Sequence, residues 1–272
     1  MKKLYRIFCK KSLFFILKLI NFVIRKKGYK IVPSLDELNQ LNYQYSNDSR
    51  RLVFNTNKDS FDKLIIDSTQ FETTLCREGA KFNTDKSPYN MIGHRHGYTG
   101  IYYLLFNHLK NKNIKIAEIG IENNSSIKLW RSYFELAEIH GFEYHDNKIN
   151  NAKNQNLNNT FYHYIDVSIS SNIKNAFMDT GKKFDIIIDD STHLFNHQIN
   201  IIKNTKEFLN QQGILVIEDI YKFKKENSEK KYYEQLSSIK NEFKKIYFIE
   251  TFNANNYSAN WKCEKLLVLI NN

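Results

Sequence analysis

The hydrophobic pattern of the chain changes rhythm near residue 98. From there on, short apolar runs alternate with longer segments whose apolar residues recur three and four apart, the pattern of strands alternating with helices. The runs "IKIAEIGI" (114–121), "EIHGFEYH" (138–145), "TFYHYIDV" (160–167), "FDIIIDD" (184–190) and "GILVIEDI" (213–220) read as strands. Helical spacing runs through "YTGIYYLLFNHLKN" (98–111), "SIKLWRSYFELA" (126–137), "SSNIKNAFMDTG" (170–181), "HLFNHQINIIKNTKEFLNQ" (193–211) and "KYYEQLSSIKNEF" (231–243). Such alternation predicts an α/β fold with a mostly parallel sheet, Rossmann-like in plan. The last two apolar runs, "KIYFIETFN" (245–253) and "EKLLVLIN" (264–271), have no helix between them and are expected to pair antiparallel. Together these runs predict a seven-stranded sheet.

Upstream, residues 28–80 read as a helical accessory region. "SLDE", Ser34 to Glu37, has the form of a capping box. "FDKLIIDSTQFETTLCREG" (61–79) reads as a second helix, with Gly79 as its stop signal. The expected division is therefore 1–27, 28–80 and a main domain over 81–272.

The chemistry lies at the strand ends. "KFDIIIDDSTHLFNHQ" (183–198) runs a greasy strand into Asp189 and Asp190, with His193 three residues past the second acid. "GILVIEDIY" (213–221) repeats the design with Glu218 and Asp219. Glu118, Glu143, Asp166, Asp190 and Asp219 all fall at or near strand ends. In parallel sheets, ligands bind beyond the carboxyl ends of the strands. One or two such acids would serve as helix caps, but five on one rim point to a site. Gly120 lets backbone approach a ligand, and Glu143 follows at the spacing of a ribose-gripping carboxylate. Asp166 is placed to meet an adenine edge. Neighbouring parallel strands would bring Asp190 and Asp219 together, and clustered carboxylates call for a hard cation such as Mg²⁺ or Ca²⁺.

Composition narrows the setting. The chain has 272 residues and is 42% hydrophobic, enough for one large core. Its three cysteines, Cys9, Cys76 and Cys263, form neither a metal spacing nor a disulfide framework and suit a reducing compartment. A net charge of +11 admits nucleic acid, a membrane surface, an anionic substrate or a solvated lysine-rich surface. In the first 27 residues, Lys3, Arg6, Lys10, Lys18 and Arg25 fall on one helical side, with Phe8, Phe15, Leu19, Phe22 and Val23 largely opposite. No uncharged run there reaches the length of a span, and no small-residue cleavage site follows. A basic amphipathic helix lying on an anionic membrane surface is expected, with packing on the core or on a second copy, as in a homo-oligomer, as the alternative. The expected location is cytoplasmic, peripheral on the inner face of the membrane.

The segments "EIGIENNSSIKLW" (118–130), "FDIIIDDSTH" (184–193), Glu218–Asp219 and the upstream "NTDKSPYNMIGHRHGYTGIYY" (83–103) carry a resemblance. In that order they resemble class I S-adenosylmethionine-dependent methyltransferases. Within that class they are similar to metal-dependent sugar O-methyltransferases related to macrolide-sugar methyltransferases and the cephalosporin-hydroxylase-like family. The resemblance covers roughly residues 81–270. It implies that Glu118, Gly120, Glu143 and Asp166 line an S-adenosyl-L-methionine pocket. It also implies that Asp190, Glu218 and Asp219 hold a divalent metal, Mg²⁺, and that His193 is the general base. Asp189 is expected on the cofactor side of the same tip, orienting the loop rather than holding metal, and His197 at the surface. Asn83 stands in place of a family glycine, and Asn124 and Ser125 in place of a glycine pair. The acceptor implied is a sugar or glycan in surface glycan or glycosylated-metabolite synthesis. An RNA substrate is disfavoured because no Pro-Pro amino-methylation motif occurs; the two prolines are Pro33 and Pro88. A non-catalytic membrane-bound protein and a hydroxylase-like activity are the remaining alternatives.

Overall fold

Apolar runs buried on both faces become central strands, and this chain follows that rule from residue 115 onward. The computed structural model describes residues 52–55, 60–222, 228–257 and 264–272. The strands are β1 (Leu52–Asn55), β2 (Asp62–Asp67), β3 (Lys115–Ile119), β4 (Glu138–Glu143), β5 (Thr160–Tyr164), β6 (Phe184–Asp189), β7 (Leu209–Ile217), β8 (Phe243–Phe252) and β9 (Lys265–Asn271). The α-helices are α1 (Thr74–Lys81), α2 (Tyr98–Phe106), α3 (Ser125–Tyr133), α4 (Asp146–Lys153), α5 (Ser170–Asp179), α6 (Phe195–Thr205) and α7 (Glu229–Leu236). The first 27 residues and the Ser34–Glu37 capping box lie outside the described residues.

One nine-stranded sheet runs in the order β1-β2-β8-β9-β7-β6-β3-β4-β5. Strands β3 to β7 are parallel neighbours, and β9 inserts antiparallel between β7 and β8. The seven strands expected are all present, and the final pair is antiparallel as expected. The order reverses at β3, where the chain runs out to β4 and β5 on one side and returns to β6 and β7 on the other. That is the switch point at which α/β sheets open a crevice.

The first part of the chain differs from expectation. "DKLIID" is strand β2, parallel to β8, and only Thr74–Lys81 is helical. The segment has β-branched and aromatic residues flanked by polar ones, and a free edge at β8 recruits it; edge pairing overrides weak helical spacing. The helix runs through Gly79, which is there because the chain is crowded: a Cβ would lie 2.8 Å from that of Ser87.

Side-chain alternation sorts the core into two layers. Ile116, Ile186, Ile188, Val216 and Val268 pack with α2 and α3 through Tyr102, Phe106 and Trp130. Ala117, Ile119, Ile187, Leu215 and Ile217 pack on the other face with Phe177, Ile201 and Tyr232 of α5, α6 and α7. Among the described residues no helix is long and apolar enough to cross a membrane.

Candidate functional site

A cleft of about 430 Å³ opens beyond the ends of β3, β4, β5, β6 and β7. That is within the usual size range of small-ligand pockets. Gly120, Glu143, Asp166, Asp190, His193 and Asp219 all contribute to its wall, as the sequence predicts. Gly120 sits at φ +87°, and a Cβ there would come within 2.2 Å of the Asp190 carbonyl oxygen. A side chain would thus close the crevice and break the β3–β6 crossover. The two asparagines that replace family glycines adopt the left-handed backbone that glycine favours: Asn83 has φ +55° and Asn124 has φ +68°. Asparagine is among the non-glycine residues that enter this region most readily, so the turns survive the change.

At one end of the cleft, Glu143 is fixed by its own backbone surroundings. Its Oε1 accepts hydrogen bonds from the amides of Tyr144 (2.9 Å) and His145 (3.1 Å). The carboxylate is thereby held in one rotamer while it lines the cleft. Asp166 accepts from the amide and the hydroxyl of Ser168 through Oδ1. At the other end, donor atoms of Asp190, His193 and Asp219 lie within 4.8 Å of one another. His193 Nε2 stands 3.6 Å from Asp219 Oδ2, and His193 Nδ1 is buried without a hydrogen-bond partner. Both His193 (φ +56°) and Asp219 (φ +55°) hold left-handed backbone. Strained non-glycine conformations of this kind concentrate at functional sites.

Asp219 accepts a hydrogen bond from the Tyr98 hydroxyl at 2.6 Å, and His96 stacks on the Tyr98 ring at 4.8 Å. Burial disfavours ionisation of Asp219, but the nearby His96 and His193 imidazoles and the Tyr98 hydroxyl outweigh it and hold its carboxyl below the usual range. Asp190 behaves oppositely: burial pushes it up to about 7, with Lys86 acting against the shift and Asp85 adding to it.

Three residues expected in the site lie elsewhere. Glu118 is fully buried; it accepts from Trp130 Nε1 at 2.7 Å and lies 3.3 Å from Lys86 Nζ. Asp189 is buried and accepts from Ser191 Oγ at 2.6 Å, so it orients the loop without lining the cleft. Glu218 accepts from Lys86 Nζ at 2.8 Å and from the Tyr102 hydroxyl. Neither Glu118 nor Glu218 contributes to the cleft wall. Glu118, Asp190 and Glu218 continue the alternation of Ile116, Ile188 and Val216, which face α2 and α3; of the three, Asp190 alone also reaches the cleft wall. His197, expected at the surface, is half-buried in the cleft wall with Nδ1 2.9 Å from Thr192 Oγ1.

Lys86 is the residue whose importance the spacing alone did not reveal. It is 1% exposed, and its ammonium meets Glu118, Asp190 and Glu218. Burial alone would lower its pKa, but those carboxylates outweigh it and hold it well above the usual lysine value. Burial also pushes Glu218 upward. Two donors aimed at Glu218, the ammonium and the Tyr102 hydroxyl, are the arrangement of an ionised carboxylate.

A protein of Streptomyces olivaceus, 8-demethyl-8-(2-methoxy-alpha-L-rhamnosyl)-tetracenomycin-C 3'-O-methyltransferase, is 26% identical over 177 residues. The match takes in 62% of this chain and 42% of that protein, so the chain spans less than half the length of this relative. Among solved structures, the MycE methyltransferase of the mycinamycin biosynthetic pathway, in complex with Mg, SAH and mycinamycin VI, is 22% identical. It aligns with a TM-score of 0.47 over 55% of this chain and 38% of its own. The Methanococcus jannaschii fibrillarin pre-rRNA processing protein is 16% identical, with a TM-score of 0.44 over 59% of this chain and 67% of its own. A family model described as "Methyltransferase domain" matches residues 111–261, the stretch that carries β3 to β8 with Glu143, Asp166, Asp190 and Asp219. With more than half of its length matched in this way, the chain belongs to the methyltransferase domain family.

Proposed function

We propose that the chain is an S-adenosyl-L-methionine-dependent O-methyltransferase acting on a sugar hydroxyl, in a glycan or a glycosylated metabolite. The observation that carries this reading is the two-ended cleft, with Glu143 fixed at one end and Asp190, His193 and Asp219 converging at the other. Glu143 suits the ribose hydroxyls of the cofactor, and Asp166 suits its adenine. The sugar acceptor is supported by the likeness to the tetracenomycin rhamnosyl 3'-O-methyltransferase.

The convergent end fits a divalent cation. Two carboxylates and an imidazole approach within 4.8 Å, and oxygen-rich donor sets select hard ions such as Mg²⁺. Asp190 and Asp219 would hold it. Glu218 stands behind them, committed to Lys86 and Tyr102. A sugar hydroxyl is a poor nucleophile at neutral pH, and a bound Mg²⁺ supplies the Lewis acidity that lowers its pKa. His193 accepts the hydroxyl proton at Nε2. The acceptor oxygen then forms its bond to the methyl carbon as the carbon–sulfur bond breaks, leaving a neutral thioether. Ile119, Ile165 and Val167 give the cleft apolar wall that limits water at the reacting centre.

The test is methyl transfer to nucleotide sugars with and without EDTA. Chelation should abolish turnover and Mg²⁺ should restore it. His193→Ala should lower turnover by roughly 10²–10⁴-fold while cation and cofactor affinity survive. Loss of cation affinity in that variant would make His193 a third ligand instead of the base. Full activity in EDTA would remove the cation from the reaction.

The basic and apolar sides of residues 1–27 support docking on an anionic membrane surface. Co-sedimentation of the full chain with anionic vesicles should weaken at high salt without vanishing, because the apolar contribution is not screened. No vesicle binding at low salt would return the segment to a packing role.

A further inference from the structure

Lys86 belongs to no step described above, yet it is a buried ammonium that meets three carboxylates. Its backbone is clamped from both sides. The Thr99 amide donates to the Lys86 carbonyl (3.0 Å), the Ser87 hydroxyl donates to the Cys76 carbonyl (2.7 Å), and the His96 amide donates to the Asp85 carbonyl. The side chain is 1% exposed. An ammonium has three protons to give. Here it meets three carboxylates, each from the end of a different strand: Glu118 at 3.3 Å, Glu218 at 2.8 Å, and Asp190. Of the three, only Asp190 also lines the cleft. One residue therefore joins the buried acid cluster to the convergent end of the site.

We propose that Lys86 is the resident counter-ion of this cluster: it holds Glu118, Asp190 and Glu218 together without a divalent cation and positions Asp190 to receive one. The role rests on the reading of Asp190 and Asp219 as a cation site. Without the ammonium, three strand ends would carry buried, mutually repelling charges. Such charges separate, take up protons or recruit another cation. Lys86 makes the first two unnecessary. It also leaves the third to Asp190 and Asp219 alone, since the oxygens of Glu218 are already engaged. Lys86 is thus a positioning residue, acting through Asp190.

Thermal unfolding with Mn²⁺, Mg²⁺ or EDTA tests this on four full-length proteins: wild type, Lys86→Met, Lys86→Met/Glu218→Gln and Leu75→Ala. Leu75 is fully buried in α1 and serves as a destabilised control. In EDTA, Lys86→Met should melt roughly 10 °C below wild type. Divalent cation should raise its melting point by much more than it raises that of wild type or Leu75→Ala. The double variant, with one charge fewer to neutralise, should regain part of the loss in EDTA. If Lys86→Met does not fold, the double variant takes its place: it should gain more from cation than wild type does. A cation-induced shift of equal size in all the proteins would leave the cation site standing and overturn the role given to Lys86. A shift absent from all of them would overturn the cation reading of Asp190 and Asp219, and this proposal with it.

Discussion

Glu143 shows how one residue can be both legible and incomplete in a sequence. Its place at the end of the second parallel strand follows from counting; its rigidity does not. The amides of Tyr144 and His145 hold Oε1, leaving the carboxylate pre-set for a ligand. Hydrogen bonds to a charged group contribute about 1.5–3 kcal/mol each. Glu143→Ala should therefore weaken S-adenosyl-L-methionine binding by roughly 10- to 150-fold. Calorimetry returning an unchanged dissociation constant would remove Glu143 from the ribose end of the cleft. The neighbouring residues show where reading by type fell short. Asp190 and Asp219 were legible as cleft acids because each follows a buried strand. Glu118 and Glu218 look the same in one dimension, but both are buried against Lys86 and do not reach the cleft. Lys86 itself comes from a loop more than thirty residues earlier than any strand end it touches, so no local spacing announces it.

At the scale of elements, β4 and β5 close the open side of the sheet and carry a pH-sensitive pair. His140 Nδ1 and His163 Nε2 lie 2.8 Å apart, with the rings stacked at 5.0 Å. Burial, reinforced by the neighbouring His140 and Lys153, pulls His163 down to about 4. Burial lowers His140 too, against the pull of Glu138. An unfolded chain takes up the His163 proton near pH 6.5, the folded one only near 4. Between those values the unfolded state binds more protons, so stability falls as pH drops from about 6.5 to about 4 and is unaffected by this group above that window. Partial exposure screens the effect. His163→Phe keeps the stack on Phe142, whose ring centroid is 4.9 Å away. That variant should lose a few degrees less than wild type when melting temperatures at pH 7 and pH 4.5 are compared. Parallel pH profiles for the two proteins would mean that another group governs acid sensitivity. The strands themselves were readable from their apolar runs. The pairing of His140 with His163 was not, because it depends on the β4–β5 register, in which Phe142 stands opposite His163.

For the whole molecule the question is where the folding unit begins. The family resemblance places the start near residue 81 and strand–helix alternation near residue 98, yet the sheet does not stop there. Strand β2 pairs with β8 along its full length, from Asp62 opposite Tyr247 to Asp67 opposite Phe252. Phe61, Ile65 and Leu75 are buried in the two core layers or at the strand that joins them. Their loss costs roughly 5–9 kcal/mol, at about 1.5–3 kcal/mol per buried side chain. That is comparable with the whole stability of a typical domain. The same segment braces the site. The Ala254 amide donates to Thr69 Oγ1 (2.9 Å) and Asn253 Nδ2 to Ser68 Oγ (3.1 Å), fixing the chain that follows β8. That chain pairs through Tyr257 with Arg95, next to His96. A protein spanning 51–272 should therefore unfold cooperatively and bind S-adenosyl-L-methionine as the full chain does. One spanning 81–272 should show no cooperative thermal transition by circular dichroism and no cofactor binding by calorimetry. A sharp transition for 81–272 within a few degrees of the longer protein would show that β2 and α1 are accessories laid on a finished fold. Loss of folding confined to 81–272 would make them part of the unit that positions Lys86 and Asp219.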